Sequence, residues 1–110
     1  MHNLKTPIIR NKNHLRFVAG LPCAMCRVGG FSQAAHIGRL GMGIKNPDNM
    51  VLPLCCQRPS TEGCHAESHR IGEEKFFAKC GGVEAAKRLA SDLWENTGNW
   101  EKACSLLIKF

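Results

Sequence analysis

The sequence predicts a small α+β domain, with two short strands and a helix at its centre and further helices closing the C-terminal end. Three observations carry that expectation. Phe31–Ile37 and the apolar run Met50-Val51-Leu52-Pro53-Leu54 have strand length and are bounded by Gly- and Pro-containing turns. Cysteine and histidine crowd residues 23–69, as Cys23-x-x-Cys26, Ala35-His36-Ile37, Cys55-Cys56 and Cys64-His65-x-x-x-His69. From Val83 onward the apolar residues keep helical spacing: Ala86, Ala90, Leu93 and Trp94, then, after Gly98, Trp100, Ala103, Cys104, Leu107 and Ile108.

A chain of 110 residues allows one domain with a modest core. Tyrosine is absent and there are two tryptophans, so aromatic packing is thin and a metal staple would compensate. Fifteen Lys and Arg stand against nine Asp and Glu. The imbalance is local: residues 1–72 hold nine basic and three acidic side chains, whereas residues 73–110 hold six of each. The positive charge thus travels with the Cys and His residues, the footprint expected of a protein that meets a polyanion such as nucleic acid.

Met1-His2-Asn3-Leu4-Lys5 leads into polar sequence rather than a secretory signal. No apolar run nears the roughly 20 residues of a membrane span. The expectation is a cytoplasmic protein, away from membranes, in a compartment that keeps thiols reduced. Seven cysteines, an odd number, also argue against a complete disulfide framework and for metal binding.

Taken in order, residues 1–12 read as a flexible basic arm carrying Lys5, Arg10 and Lys12, and residues 13–110 as one domain with its core at about 21–80 and a helical tail at 83–110. Asn13 is the expected cap of a short helix whose Leu15 and Val18 share a face, ended by Gly20 and Pro22. After Cys-x-x-Cys, Arg27-Val28-Gly29-Gly30 supplies a turn. Residues 38–49 read as a glycine-punctuated loop, and Pro53 marks the second strand as an edge. Gln57–Gly63 is a polar loop from which a helix carrying His65 and His69 should start, with Gly72 interrupting it and a further short helix over Glu73–Lys79.

A structural zinc takes four thiolate or imidazole ligands, donated as two close pairs. Cys23 and Cys26 are one pair; Cys64 with Cys55 or Cys56 is the other, Cys55 being favoured because it directly follows the apolar strand. Cys80 and Cys104, without a Cys or His partner near in sequence, read as small buried hydrophobes. His65 and His69, four apart on a helix, share a face and suit one cation with open coordination positions. The helix start would aim its free N–H groups at the same place, favouring a phosphate. His36, a polar group in an apolar strand, is a candidate general base, with Asp48-Asn49 the nearest candidates to hold its tautomer.

These motifs together resemble the HNH endonucleases, most closely their small phage and prophage members. The resemblance runs from Leu21-Pro22-Cys23-x-x-Cys26 through Ala35-His36-Ile37, Gly41–Asp48, Pro53-Leu54-Cys55 and Cys64-His65-x-x-x-His69 to Gly72-Glu73 and Phe76-Phe77, covering about residues 13–80. It implies a ββα-metal fold with a structural zinc (Zn2+) knuckle, and cleavage of DNA with one divalent metal. By that resemblance His36 activates water, Asn49 or its neighbour Asp48 steadies it, and His65 and His69 hold the catalytic cation (Mg2+, Mn2+, Ni2+ or Zn2+). Many members carry Asp or His just before the base as a ligand; Ala35 stands there, so water and phosphate are expected to complete the shell. Arg39, Lys45 and Arg70 are the expected phosphate contacts, and with no recognition module little sequence preference is expected. The function implied is phage or prophage DNA processing, with phage or host recombination proteins as partners; no oligomeric state is implied. The reading from another class is a non-catalytic zinc-knuckle DNA-binding or nuclease-accessory module.

Overall fold

Two five-residue strands, β1 (Ser32–His36) and β2 (Val51–Cys55), pair antiparallel in the register Ser32↔Cys55 to His36↔Val51. They belong to a computed structural model that describes residues 9–38 and 46–110. All five residues of β2 are buried, whereas β1 buries Ala35 and leaves Gln33 and His36 exposed. The sheet therefore has a buried strand and a partly exposed strand side by side. Pro53 is tolerated because its carbonyl points away from β1, accepting the Ala24 N–H at 2.8 Å. In extended backbone the amide of a residue points to the same side as its carbonyl, so the missing donor costs no ladder bond.

Helix α1 (Lys12–Ala19) precedes the sheet and buries His14 and Val18. Its cap is Asn11 rather than the expected Asn13. Asn11 is extended (φ −151°) and its side-chain oxygen accepts the His14 N–H at 3.0 Å, which leaves Asn13 inside the first turn. The chain before α1 is tied down as well. The Ile9 carbonyl accepts from the Asp48 N–H at 2.9 Å, and the Asn11 N–H donates to Asp48 Oδ2 at 2.8 Å. The arm expected over residues 1–12 thus meets the body by Ile9, and residues 1–8 lie outside the described residues. At the other end, His14 Nδ1 lies 2.7 Å from Thr97 Oγ1 while its ring meets Trp94 edge-on at 4.8 Å. Burial pushes the His14 imidazole below its ordinary range, against the pull of Asp48's charge. Because Thr97 Oγ1 donates to the Trp94 carbonyl at 2.8 Å, the His14 ring is the donor in their pair.

After β2 come α2 (Cys64–Ile71), α3 (Glu73–Phe76) and a single 3₁₀ turn, Ala78–Cys80. Helices α4 (Gly82–Glu95) and α5 (Trp100–Lys109) then form the expected tail. The core gathers Leu21, Ile37, Leu52, Leu54, Phe77, Leu89, Leu93 and Leu107 around the strands. Helix α5 packs against α4 and buries only the stripe Ala103 and Leu107. The neighbouring row, Trp100 and Ile108, is 50% and 67% exposed, lying beside the stripe that packs rather than on it. Cys104, on that row, is half-buried rather than buried. Cys80 is likewise half-buried, its Sγ 3.9 Å from Met25 Sδ. Among the described residues no helix is long and apolar enough to cross a membrane.

Two glycines with the same backbone separate conformational need from crowding. Gly63 (φ +85°, ψ 153°) precedes α2, and Gly72 (φ +90°, ψ 149°) ends it, both in a region essentially reserved for glycine. A Cβ on Gly63 would lie 2.4 Å from the Cys56 carbonyl oxygen and 2.8 Å from that of Cys55; one on Gly72 would meet nothing within 4 Å. Gly72→Ala is expected to cost only the backbone strain, about 1–3 kcal/mol. Gly63→Ala must also force α2 away from the end of β2, and is expected to abolish cooperative thermal unfolding while Gly72→Ala retains it. Equal melting temperatures for the two variants would contradict this packing.

Candidate metal centre

Four cysteines converge from three parts of the chain. The Cys23-x-x-Cys26 knuckle is closed by Arg27 N–H to the Cys23 carbonyl (3.0 Å) and Cys23 N–H to the Val28 carbonyl (2.9 Å). Arg27 adopts φ +68°, the one positive φ outside glycine among the described residues. Cys55 ends β2 and Cys64 opens α2. The wide spacing between them is taken up by a loop that pairs with itself at Arg58 and Thr61. The four ligand sulfurs of Cys23, Cys26, Cys55 and Cys64 all lie within 4.8 Å of one another, and Cys26 and Cys55 are 3.6 Å apart. A tetrahedron with Zn–S of about 2.3 Å has edges of about 3.8 Å, so the donor set and its dimensions suit zinc. Between the two candidates after the strand, Cys55 joins the group and Cys56 does not, since successive side chains of an extended segment point to opposite faces.

The electrostatics of the cluster show what a metal would relieve. Burial alone would raise the Cys55 thiol, but the Cys64 N–H, 3.2 Å from its sulfur, and the neighbouring thiols bring it below the usual range. Burial and then the charge on Cys23 push Cys64 strongly up, and burial raises Cys26. Ionisation is thus easier at Cys55 than at Cys26 or Cys64, and a divalent cation would offset the charge of thiolates held this close. Arg58, stacked 4.6 Å over the Phe31 ring with Nη2 3.9 Å from Cys55 Sγ, adds positive charge at the rim.

One residue beyond Cys64, the histidine pair begins. His65 and His69 have ring centroids 5.1 Å apart and tilted by 36°, as their spacing on α2 requires. His65 Nδ1 lies 2.7 Å from Gln33 Oε1 on β1. Burial, followed by the charges of His69 and His36, holds His65 below the ordinary imidazole range, which favours the neutral ligand form. Two imidazoles at this distance suit one cation, and they leave the rest of its shell open. Among the described residues the four cysteines are the one group of three or more possible ligands brought together, so His36 stands apart from the pair as a third ring rather than a third ligand.

His36 Nε2 is 2.9 Å from Asp48 Oδ1, whose side chain is 4% exposed. The same carboxylate accepts from Arg10 Nη1 at 3.0 Å and from the Asn11 N–H at 2.8 Å. Burial would raise Asp48, but the hydrogen bonds from His36, Asn11 and Arg10 outweigh it and hold the group below the usual carboxylate range. An ionised carboxylate can only accept, so a His36 proton sits on Nε2, and in the neutral ring the lone pair is on Nδ1. Among the described residues Asp48, rather than Asn49, makes the contact to His36. The turn from Pro47 to Met50 carries Asp48 inward, while the Asn49 amide oxygen is buried without a partner.

The remaining expected contacts divide. Arg39 and Lys45 lie outside the described residues. Arg70 is engaged, its Nη2 2.8 Å and its Nε 3.1 Å from Glu62 Oε1, and this arginine draws the Glu62 carboxyl below its usual range. The first N–H of α2 is also committed, since Cys64 gives it to Cys55 rather than to an incoming phosphate. Gln33, Arg10 as Asp48's partner, and Arg58 are the site residues that sequence reasoning passed over; a lone amide in the apolar strand was the available signal for Gln33. Comparison with family models, curated proteins and solved structures yields no match for this chain.

Asp48→Asn tests the network. Because the folded carboxylate titrates below its unfolded value near pH 4, its contribution to stability is complete above that range and fades as pH falls through the lowered folded value. At neutral pH the variant is expected to lose about 2–3 kcal/mol in denaturant unfolding. The difference from wild type should shrink in acid. A difference that persists undiminished at pH 2 would contradict the assignment.

Proposed function

We propose that this chain is a metal-dependent DNA endonuclease of HNH type that hydrolyses phosphodiesters with little sequence preference, in phage or prophage recombination or DNA processing. The observation that carries the reading is the His36–Asp48 pair, set on the sheet beside a helix whose first residue is a cluster cysteine and whose second and sixth are His65 and His69. Two antiparallel strands followed by that helix have the order that the resemblance implies, and the excess positive charge of residues 1–72 suits a polyanionic substrate.

In this reading His36, held through Nε2–H on Asp48, takes a proton from water at Nδ1; its side chain is 37% exposed, so solvent reaches it. His65 and His69 would hold a divalent cation, which would supply positive charge to offset that on the scissile phosphate and the leaving 3′ oxygen. Arg10 keeps Asp48 ionised, and Asp48 keeps the imidazole aimed. Arg70 can exchange Glu62 for a phosphate because their pair is exposed. The zinc cluster takes no part in the chemistry and sets the distance between strand and helix.

One observation favours a second reading, a zinc-knuckle DNA-binding or nuclease-accessory module without catalysis. Ala35, at the place where many HNH members carry a ligand, is 2% exposed and faces the core. The two readings part in a plasmid-nicking assay with Mg2+, Mn2+ or Ni2+. Wild type is expected to nick, and His36→Ala to lose at least about 100-fold in rate while keeping its zinc and its fold. DNA binding without nicking in any of these ions supports the accessory module instead.

A further inference from the structure

We propose that Gln33 is a positioning residue for the histidine pair, its side-chain oxygen fixing the His65 ring with the proton on Nδ1. The contact is 2.7 Å, and with the amide oriented as found an oxygen faces the ring. An amide oxygen can only accept, so Nδ1 must carry the hydrogen and Nε2 keeps the lone pair. A free neutral imidazole ordinarily prefers the opposite tautomer, so the contact selects a form the ring would not adopt unaided.

The placement follows from the fold. Gln33 stands opposite Leu54 in the strand register, next to Cys55 in β2, and Cys55 is tied to Cys64, whose neighbour is His65. The same sulfur cluster that joins β2 to α2 therefore brings the amide of β1 to the first histidine of α2. On β1 the residue between Gln33 and His36 that a ligand would need, Ala35, is turned into the core. Gln33 is the group through which the strand acts on the histidine pair. His36 shows the same device with the opposite outcome, because Asp48 takes its Nε2–H and leaves Nδ1 free. Two acceptors thus orient two rings in opposite senses, one as a ligand through Nε2 and one as a base through Nδ1. The consequence for cation binding rests on reading His65 and His69 as ligands; the tautomer does not.

The test uses the full chain with zinc in the cysteine cluster and no other metal added. Long-range nitrogen–proton NMR above the imidazole titration range reads the tautomer directly. Wild type is expected to show His65 as Nδ1–H, Gln33→Leu to shift it toward Nε2–H, and Gln33→Glu, which still offers an oxygen, to restore it. Zinc content and melting temperature should match in all three. In Co2+ titrations, Gln33→Leu should bind about 10–100-fold more weakly than wild type, with Gln33→Glu recovering the affinity. An Nε2–H form in wild type, or a tautomer unmoved in Gln33→Leu, overturns the proposal. A tautomer that moves as expected while no variant binds Co2+ supports the positioning and overturns the reading of the histidines as a metal site.

Discussion

The convergence of four cysteine sulfurs is the constraint on which the rest of this structure depends. It joins the Cys23–Cys26 knuckle, the end of β2 and the start of α2, segments that the Ala24 N–H to Pro53 carbonyl bond and the shared apolar core also hold together. A domain of this size is stable by about 5–15 kcal/mol in total. A structural zinc contributes an apparent 10–16 kcal/mol or so. With zinc bound, the cluster would contribute as much as the whole net stability of such a domain to holding strand and helix together. Gly63 shows how tight that junction is, because a single methyl group there would collide with the backbone of Cys55 and Cys56.

From that junction the side chains of the proposed site follow by short covalent steps. His65 is adjacent to Cys64, and His69 lies one turn on. Gln33 and His36 sit on the strand paired with the one that ends at Cys55. Asp48 joins this arrangement from the turn before β2, held by Arg10 and by the backbone of Asn11. The segment before α1 thus acts as a clamp on the carboxylate that steadies His36. Charged side chains are paired or placed locally: Arg10 against Asp48, Arg58 beside the Cys55 sulfur, Arg70 against Glu62.

Much of this was legible in the sequence because its signals were local. Cys-x-x-Cys with its turn, the i, i+4 histidines and the breaker at Gly72 each depend on a few neighbouring residues, and all fall where their spacing placed them. The choice of Cys55 over Cys56 needed only strand alternation. What was not legible depended on contacts distant in sequence. Asn11 outcompetes Asn13 as a cap because the chain before α1 is pinned to Asp48, and Arg10 gains its role from the same contact. Which apolar row of α5 is covered, Ala103 and Leu107 rather than Trp100 and Ile108, depends on the packing of the tail, which periodicity does not encode. Gln33 looked like an ordinary strand residue, since its meaning depends on where the cysteine cluster delivers His65.

The central claim is that a closed, all-sulfur zinc site holds the element carrying the histidines. Zinc-edge X-ray absorption on the purified 110-residue chain tests it most directly. The account predicts one zinc per chain with four sulfur neighbours at about 2.3 Å and no nitrogen or oxygen in its first shell. A mixed shell containing imidazole nitrogen, or a folded protein without zinc, would contradict it.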